Sequence, residues 1–389
     1  MYIKHLSLAN FRNYGSVDVE LSRGVNLFVG ENGHGKTNLV EAIGYLSTLR
    51  SHRVAGYEAL IRVAEDCNSA TLRALAHHQD RDVLVDYQLN RGSANRAAIN
   101  KNQLSRPRDI LGSILSVTFA PEDVELVRGQ PSSRRDFIDD LLIQLAPRFS
   151  GVITDYERVL KQRNTLLRTA RQTGAKGTAL STLDAWDEQL VRLGAELIAA
   201  RVALVNKLVP HLVESYKTIA QASSTARILV KSSITAKVIL NDDDSDDLET
   251  INTDDAAVIE KIYRERLTEL RSKELERGIT LIGPHRDDLI LQLNDLPAKT
   301  HSSSGETWSL ALALRLAALE LLRVDGRAGD PVLILDDVFA TLDAGRRSRL
   351  AKLVSTNEQV LITAAVAEDV PSELQAKVFH VIEGEVTVG

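Results

Sequence analysis

Residues 30–38 read GENGHGKTN. Gly30, Glu31, Asn32, Gly33, His34, Gly35, Lys36 and Thr37 fill every place of GxxxxGK[ST], and Asn38 follows directly. The apolar run before them, VNLFV (25–29), predicts a buried strand, and a helix is expected from Thr37 to about Arg50. Strand, glycine loop and helix are the setting in which this pattern cradles a phosphate chain. Glycines let backbone N–H groups curl around phosphate oxygens, and the helix N-terminus adds positive partial charge. Lys36 is expected to bridge the β- and γ-phosphates and to serve the chemistry, and Thr37 to ligate Mg²⁺, which makes ATP with Mg²⁺ the expected cofactor. His34 occupies a variable place and reads as a solvent-facing loop residue.

The other half of such a site lies near the end of the chain, at VLILDD (332–337). Asp336, at the carboxyl end of a buried strand, is placed to hold Mg²⁺, and Asp337 stands where a general base or a water-orienting carboxylate would sit. Paired carboxylates there can also simply cap the next helix. The two halves are expected on adjacent strands. Between them, Ser303-Ser304-Gly305-Glu306 opens a helix that is apolar on almost every face, SGETWSLALALRLAALELLR. Alone, it reads as an ordinary N-cap; just before a magnesium-binding strand it reads as a second anion-friendly helix end.

Outward from these motifs, the 389 residues are 44% apolar and 4% aromatic, enough for two domains with much helix. Net charge is −6, so any nucleic-acid binding must come from a local patch. A single cysteine, Cys67, excludes an intrachain disulfide framework or a CxxC metal site. With no long apolar run and no signal-peptide core, a soluble cytoplasmic protein is expected, with no membrane partner. YIKHLSLANF, VDVEL, TLRALAHH, DVLVDYQLN and ILSVTFA predict strands in the first third. From Pro131 the period becomes helical. Leu183, Trp186, Leu190, Leu193, Leu197, Ala200 and Leu204 alternate steps of three and four, a heptad seam. With the helix before it (Phe149 to Ala170, interrupted by Arg163) and the glycine-containing turn 173–181, this predicts an antiparallel hairpin. Each arm should run roughly 30–40 Å; two helices of an ordinary bundle fit the same spacing. ARILVKSS (226–233) can be a strand, 241–255 an exposed acidic loop, and 255–277 a helix. ITLIGPHRDDLILQL predicts two short strands around a turn, and the strand–helix–strand order of the last part a parallel sheet. The expected organisation is an α/β head in two pieces, 1–147 and 278–389, with a helical insertion at 148–277.

This order of parts resembles the ATP-binding-cassette ATPases of the SMC class. Four stretches narrow the resemblance to the RecF family of bacterial recombinational-repair proteins, with the actinobacterial branch as the nearest match. They are LANFRNY (8–14), PEDVELVRGQPSSRRDFID (121–139), GPHRDDL (283–289) and LDDVFATLDAGRR (335–347). The resemblance implies an ABC-type head with a helical or short coiled-coil arm. It also implies an ATP-dependent homodimer, head to tail, in which Ser303 and Gly305 of one copy meet the γ-phosphate held by the other. Residues 340–343 would be the D-loop, and Arg12 and Asn13 would lie beside the nucleotide. The implied partners are DNA (duplex, gapped or junction), RecR, RecO and RecA; the implied activity is a weak DNA-stimulated ATPase. Against the class, Asp337 replaces the usual Glu, Ala364 stands near the place of the switch histidine, Ser304 stands where Gly is common, and only Glu122 and Asp123 fall near the Q-loop. A shorter base and a missing histidine argue for slow hydrolysis that resets a DNA clamp.

For DNA, Arg158, Lys161, Arg168 and Arg171, preceded by Arg134 and Arg135, form the candidate backbone-binding patch; each cluster also fits a solvated helix face. An SMC or zinc-hook ATPase would carry a far longer insertion, a related nuclease a further domain after the D-loop, and a transporter subunit a membrane partner.

Overall fold

The computed structural model describes all residues except 52, 55, 65–66, 175–180, 221–223 and 237–248. The turn expected at 173–181 and the acidic loop at 241–255 therefore lie largely outside the described residues. In chain order, β1 (Tyr2–Phe11), β2 (Tyr14–Glu20) and β3 (Gly24–Val29) lead into α1 (Lys36–Thr48). Then come β4 (Ser69–His78), β5 (Arg81–Asn90), β6 (Arg96–Ile99), β7 (Asn102–Gln103) and β8 (Ser116–Phe119). The middle holds α2 (Glu125–Arg128), α3 (Pro131–Leu145), α4 (Arg148–Thr173), α5 (Ser181–Ala220), β9 (Ala226–Ser232), β10 (Glu249–Thr250) and α6 (Ala256–Arg277). The last part runs β11 (Asp288–Leu293), β12 (Leu296–Pro297), α7 (Ala298–His301), α8 (Ser304–Asp325), β13 (Val332–Asp336), α9 (Ala344–Val354), β14 (Gln359–Ala364), β15 (Lys377–Ile382) and β16 (Glu385–Val388).

Two six-stranded sheets build the head. One has the order β2-β1-β4-β5-β6-β7 and is antiparallel, with one buried face on β1 and β4. The other has the order β16-β15-β3-β14-β13-β8, parallel from β15 to β8. Its β13 and β14 are buried at every residue, as strands covered on both faces must be. The phosphate-loop strand β3 and the strand of Asp336 are not adjacent, as the sequence reading had them: β14 pairs with both and lies between. The side chain of Gln359, at the start of β14, joins the sheets by bonding both the N–H and the C=O of Ile3.

The insertion differs from a two-helix hairpin. The helix α6 packs along both α4 and α5, making a three-helix bundle. At 40 residues, α5 is longer than expected, about 60 Å. It runs on through Pro210 and lays its second half against α8 in the head, so the heptad seam serves a bundle and a docking face rather than a free coiled coil. ITLI (279–282) is not a strand. Two of its N–H groups are taken by side chains instead: Thr280 N–H donates to Asn164 Oδ1 and Leu281 N–H to Glu274 Oε1, at 2.7 and 2.8 Å. The strand ARILVKS, within the insertion, pairs with β11 across the expected boundary. At the joint sits GPHRDDL. Tyr156 bonds His285 (2.7 Å), Arg201 donates to the Pro284 carbonyl (2.7 Å), and Ser233 Oγ bonds Asp287 (3.0 Å). Burial pushes the His285 pKa down to about 3, so it stays neutral in this packed seam.

Candidate nucleotide site

The loop after β3 turns through Gly33 (φ 90°) and Gly35 (φ 112°), conformations that only glycine adopts freely, and α1 starts at Lys36. Lys36 is buried, and its Nζ donates to the carbonyls of Gly30 (2.6 Å) and Glu31 (3.0 Å). Burial lowers its pKa from the ordinary ammonium value, with the charges of Asp337 and Asp336 opposing. Asn13 lies directly on this loop. Its Nδ2 donates to the His34 carbonyl (3.1 Å), and its Oδ1 accepts from Asn38 (2.8 Å). Arg12 does not point into the loop: its guanidinium forms a two-pronged pair with the buried Glu41 of α1, at 2.9 and 2.7 Å. His34 is half-buried rather than solvent-facing, with Gly384 N–H donating to its carbonyl (3.2 Å), so the turn between β15 and β16 backs the loop. Glu31 and Asn32 are exposed.

Asp336 ends β13 where Thr37 Oγ1 reaches it at 2.9 Å. A second hydroxyl, that of Thr363 on the intervening β14, donates to the same Oδ1 at 2.5 Å. Thr37 and Asp336 thus bring two hard oxygens together beside the Lys36 ammonium, a donor set that suits Mg²⁺ next to phosphate. Asp337 has φ 54°, in the left-handed region that Asp tolerates better than most residues, and its N–H donates to Thr363 Oγ1 (2.9 Å). Burial raises its carboxyl pKa, Lys36 opposes, and Asp336, Asp369 and Glu122 raise it further. Of the two Q-loop candidates, Asp123 is committed to structure, accepting from Ala120 N–H (3.0 Å) and from Arg315 (2.6 Å); Glu122 is exposed and contributes charge to Asp337. Tyr14, Glu41 and Thr363 escaped sequence reasoning. Tyr14, whose hydroxyl donates to the Gly35 carbonyl (2.9 Å), stands beside Arg12 and Asn13 in FRNY, a signal that could have found it; Thr363 has none.

Ser303 caps α8 in a reciprocal box. Its Oγ accepts from Glu306 N–H, and the Glu306 carboxylate takes Ser303 N–H and Oγ–H at 2.9 and 2.7 Å. Next to it, Arg128 bonds Thr307 Oγ1 (3.1 Å) and the Ser302 carbonyl (2.9 Å). Lys36, Thr37, Asp336 and Asp337 gather in one place, whereas the close partners of Ser303 and Gly305 among the described residues are Glu306, Thr307 and Arg346.

The candidate DNA residues divide. Arg134 is buried in a two-pronged pair with Asp288 (2.7 and 2.8 Å) and also donates to the Gly129 carbonyl, so its placement in a DNA-facing patch is corrected. Arg135 is half-buried and donates to the Asp287 carbonyl (2.9 Å). Arg158, Lys161, Arg168 and Arg171 are all exposed on α4, within a little over a third of its circumference at 100° per residue. Arg158 pairs with Asp155, and Arg171 donates to the Arg277 carbonyl. Arg163, on the same helix, faces the core. No helix among the described residues is long and apolar enough to cross a membrane.

The sequence profile of the RecF/RecN/SMC N terminal domain matches residues 2–385. Relatives called DNA replication and repair protein RecF include that of Leifsonia xyli subsp. xyli, 51% identical over 99% of each chain. The one from Streptomyces avermitilis is 49% identical, again over 99% of each. A solved structure of the recombination mediator protein RecF with ATP, in the RecFOR pathway, is similar with a TM-score of 0.85 and 29% identity, covering 100% of this chain and 97% of that one. An Smc head domain derived from Pyrococcus furiosus, bound to the C-terminal domain of ScpA, shares the fold (TM-score 0.50, 15% identity, 100% and 96% covered).

Proposed function

The chain belongs to the RecF family, and from that premise we propose an ATP-dependent DNA-binding protein of recombinational repair and replication-fork recovery. ATP with Mg²⁺ closes two copies head to tail on gapped or junction DNA and so helps load a recombinase, with RecR, RecO and RecA as the family's partners. One observation carries the dimer. Lys36, Thr37, Asp336 and Asp337 meet within the chain, while Ser303 and Gly305 keep other company, which leaves the phosphate site one wall short. In this reading Gly30, Gly33, Gly35 and Lys36 hold the phosphates, Thr37 and Asp336 hold the metal, and Asn13 orders the loop beside the nucleotide. Arg12 acts indirectly, through Glu41. Size-exclusion chromatography with and without ATP and a gapped duplex tests the proposal. An ATP-dependent shift to dimer with DNA retention is expected; a monomer indifferent to both overturns it.

Asp337 is the base in this scheme, and slow hydrolysis resets the clamp. Replacing it, Asp337→Asn, is expected to slow phosphate release about 10²–10⁴-fold, the range for a general base, while ATP still drives dimerisation. The pH dependence has a definite sign. Since the carboxyl pKa is raised, the active carboxylate is lost on acidification at a pH above the ordinary aspartate range. A turnover profile flat down to pH 4 would remove Asp337 from the role.

Duplex contact is assigned to the exposed face of α4. Charge reversal at Arg168 and Arg171 is expected to weaken DNA binding and to flatten the slope of log K against log salt by about 2, near 0.9 per lost phosphate contact. Unchanged binding at all salt concentrations would take α4 out of the interface.

A further inference from the structure

We propose that Arg346 is a phosphate ligand supplied in trans, acting with Ser303 and Gly305 on the nucleotide of the partner copy; the assignment rests on the head-to-tail reading above. Asp343 ends the D-loop and caps α9, its Oδ1 accepting from Arg346 N–H at 2.9 Å. Its other oxygen takes Arg346 Nη1 at 3.1 Å, which folds the guanidinium back over the cap and toward α8. There Nη2 stands 2.6 Å from the place a Cβ on Gly305 would occupy, so the guanidinium lies against the signature backbone and a side chain at 305 would push it aside.

A guanidinium beside a helix N-terminus sets two positive ends together, an arrangement that an anion relieves. The nearest carboxylate on α8 does not serve: Glu306 is turned onto the N–H and hydroxyl of Ser303. Among the described residues Nη2 and Nε of Arg346 have no acceptor, and its side chain remains 30% exposed. Under the same turn Tyr216 of α5 is 1% exposed, with a hydroxyl that has no hydrogen-bond partner among the described residues. Asp343 takes only Nη1, so the remaining planar donors of Arg346 and the open N–H groups of the first turn of α8 match a phosphate arriving from outside the chain. The planar fork of arginine binds such an oxyanion in a way lysine cannot.

The test follows ATP-dependent dimerisation by sedimentation and phosphate release in wild type, Arg346→Ala and Arg346→Lys. Arg346→Ala is expected to weaken the dimer roughly 10- to 100-fold, the range for losing one charge-assisted contact, with Arg346→Lys in between. Mixing Arg346→Ala with Lys36→Ala then separates trans from cis. A mixed dimer has one composite site with both Lys36 and Arg346 intact, so the mixture regains ATP-dependent dimer at protein concentrations too low for either variant to dimerise alone. No recovery, or an Arg346→Ala dimer as tight as wild type, overturns the assignment. A wild type that fails to dimerise with ATP overturns the head-to-tail reading itself.

Discussion

Lys36→Ala is expected to abolish the proposed ATP-driven dimerisation and to weaken nucleotide binding by about 10²–10⁴-fold. Two charge-assisted contacts of about 1.5–3 kcal/mol each are lost with the ammonium. Two features of the site bear on the magnitude. Lys36 is 6% exposed and its ammonium rests on the carbonyls of Gly30 and Glu31, so it is already positioned where a phosphate chain would replace those carbonyls. It also faces Asp336 and Asp337, whose charges are left uncompensated once it is gone, so the Asp337 carboxyl moves still higher. The fold should change little, because two effects oppose: burial disfavours the charged form of Lys36, a cost its removal relieves, while Asp336 and Asp337 lose its compensation. Titration with a fluorescent ATP analogue, alongside thermal unfolding, checks both statements. ATP-dependent dimers at near wild-type affinity in Lys36→Ala would sink the proposed site.

The second large effect lies in the helical insertion. Arg163→Ala is expected to destabilise the three-helix bundle by about 3–5 kcal/mol, the range for stripping one partner from a buried ion pair. Arg163 is fully buried. Its Nε donates to Asp187 (2.6 Å), Nη1 to Thr280 Oγ1 (2.7 Å) and Nη2 to Glu274 (2.6 Å). Without it, Glu274 remains buried at the centre of α4, α5 and α6 with only the Leu281 N–H to hold it. Burial already raises the Glu274 pKa, with Arg163 opposing. In the variant that opposition is gone, so the folded pKa climbs further above the unfolded one. A raised carboxylate costs stability as pH rises and gives it back on acidification. The deficit should therefore shrink from pH 8 toward pH 5. Hydrogen exchange across α4–α6 and thermal melts at several pH values measure it. A loss under 1 kcal/mol, or one that grows on acidification, contradicts this account. Arg168 and Arg171 on the same helix are exposed and lose only bonds to backbone carbonyls when reversed, so stability should fall far less than in Arg163→Ala, which separates bundle integrity from DNA contact.

What was legible from sequence was whatever depends on consecutive residues. GENGHGKTN carries its own backbone requirements, with left-handed glycines at 33 and 35 and a helix starting at Lys36. The runs VNLFV, VLILD and QVLITA are apolar without alternation because both faces are covered, and they appear as β3, β13 and β14. Ser303-x-x-Glu306 announces its own capping box. Arg163 left a trace too, as the one polar interruption in an apolar helical period.

Tertiary structure decided the rest, because it alone chooses partners distant in the chain. No local pattern says that β14 separates β3 from β13, since parallel strand order depends on which crossover packs where; that insertion is what brings Thr363 onto Asp336. Arg134, Arg163 and Arg168 look alike as basic residues on helices. Asp288 and Glu274, each more than a hundred positions away from their arginine, bury the first two, and only Arg168 stays at the surface. A charge is committed to the fold when folding supplies an enclosed counter-charge, and is left for solvent or a partner when it does not. Sequence by itself thus determined a glycine loop between strand and helix, an apolar strand ending in two carboxylates and a capped helix; folding decided which of its arginines are enclosed with a carboxylate and which stay at the surface.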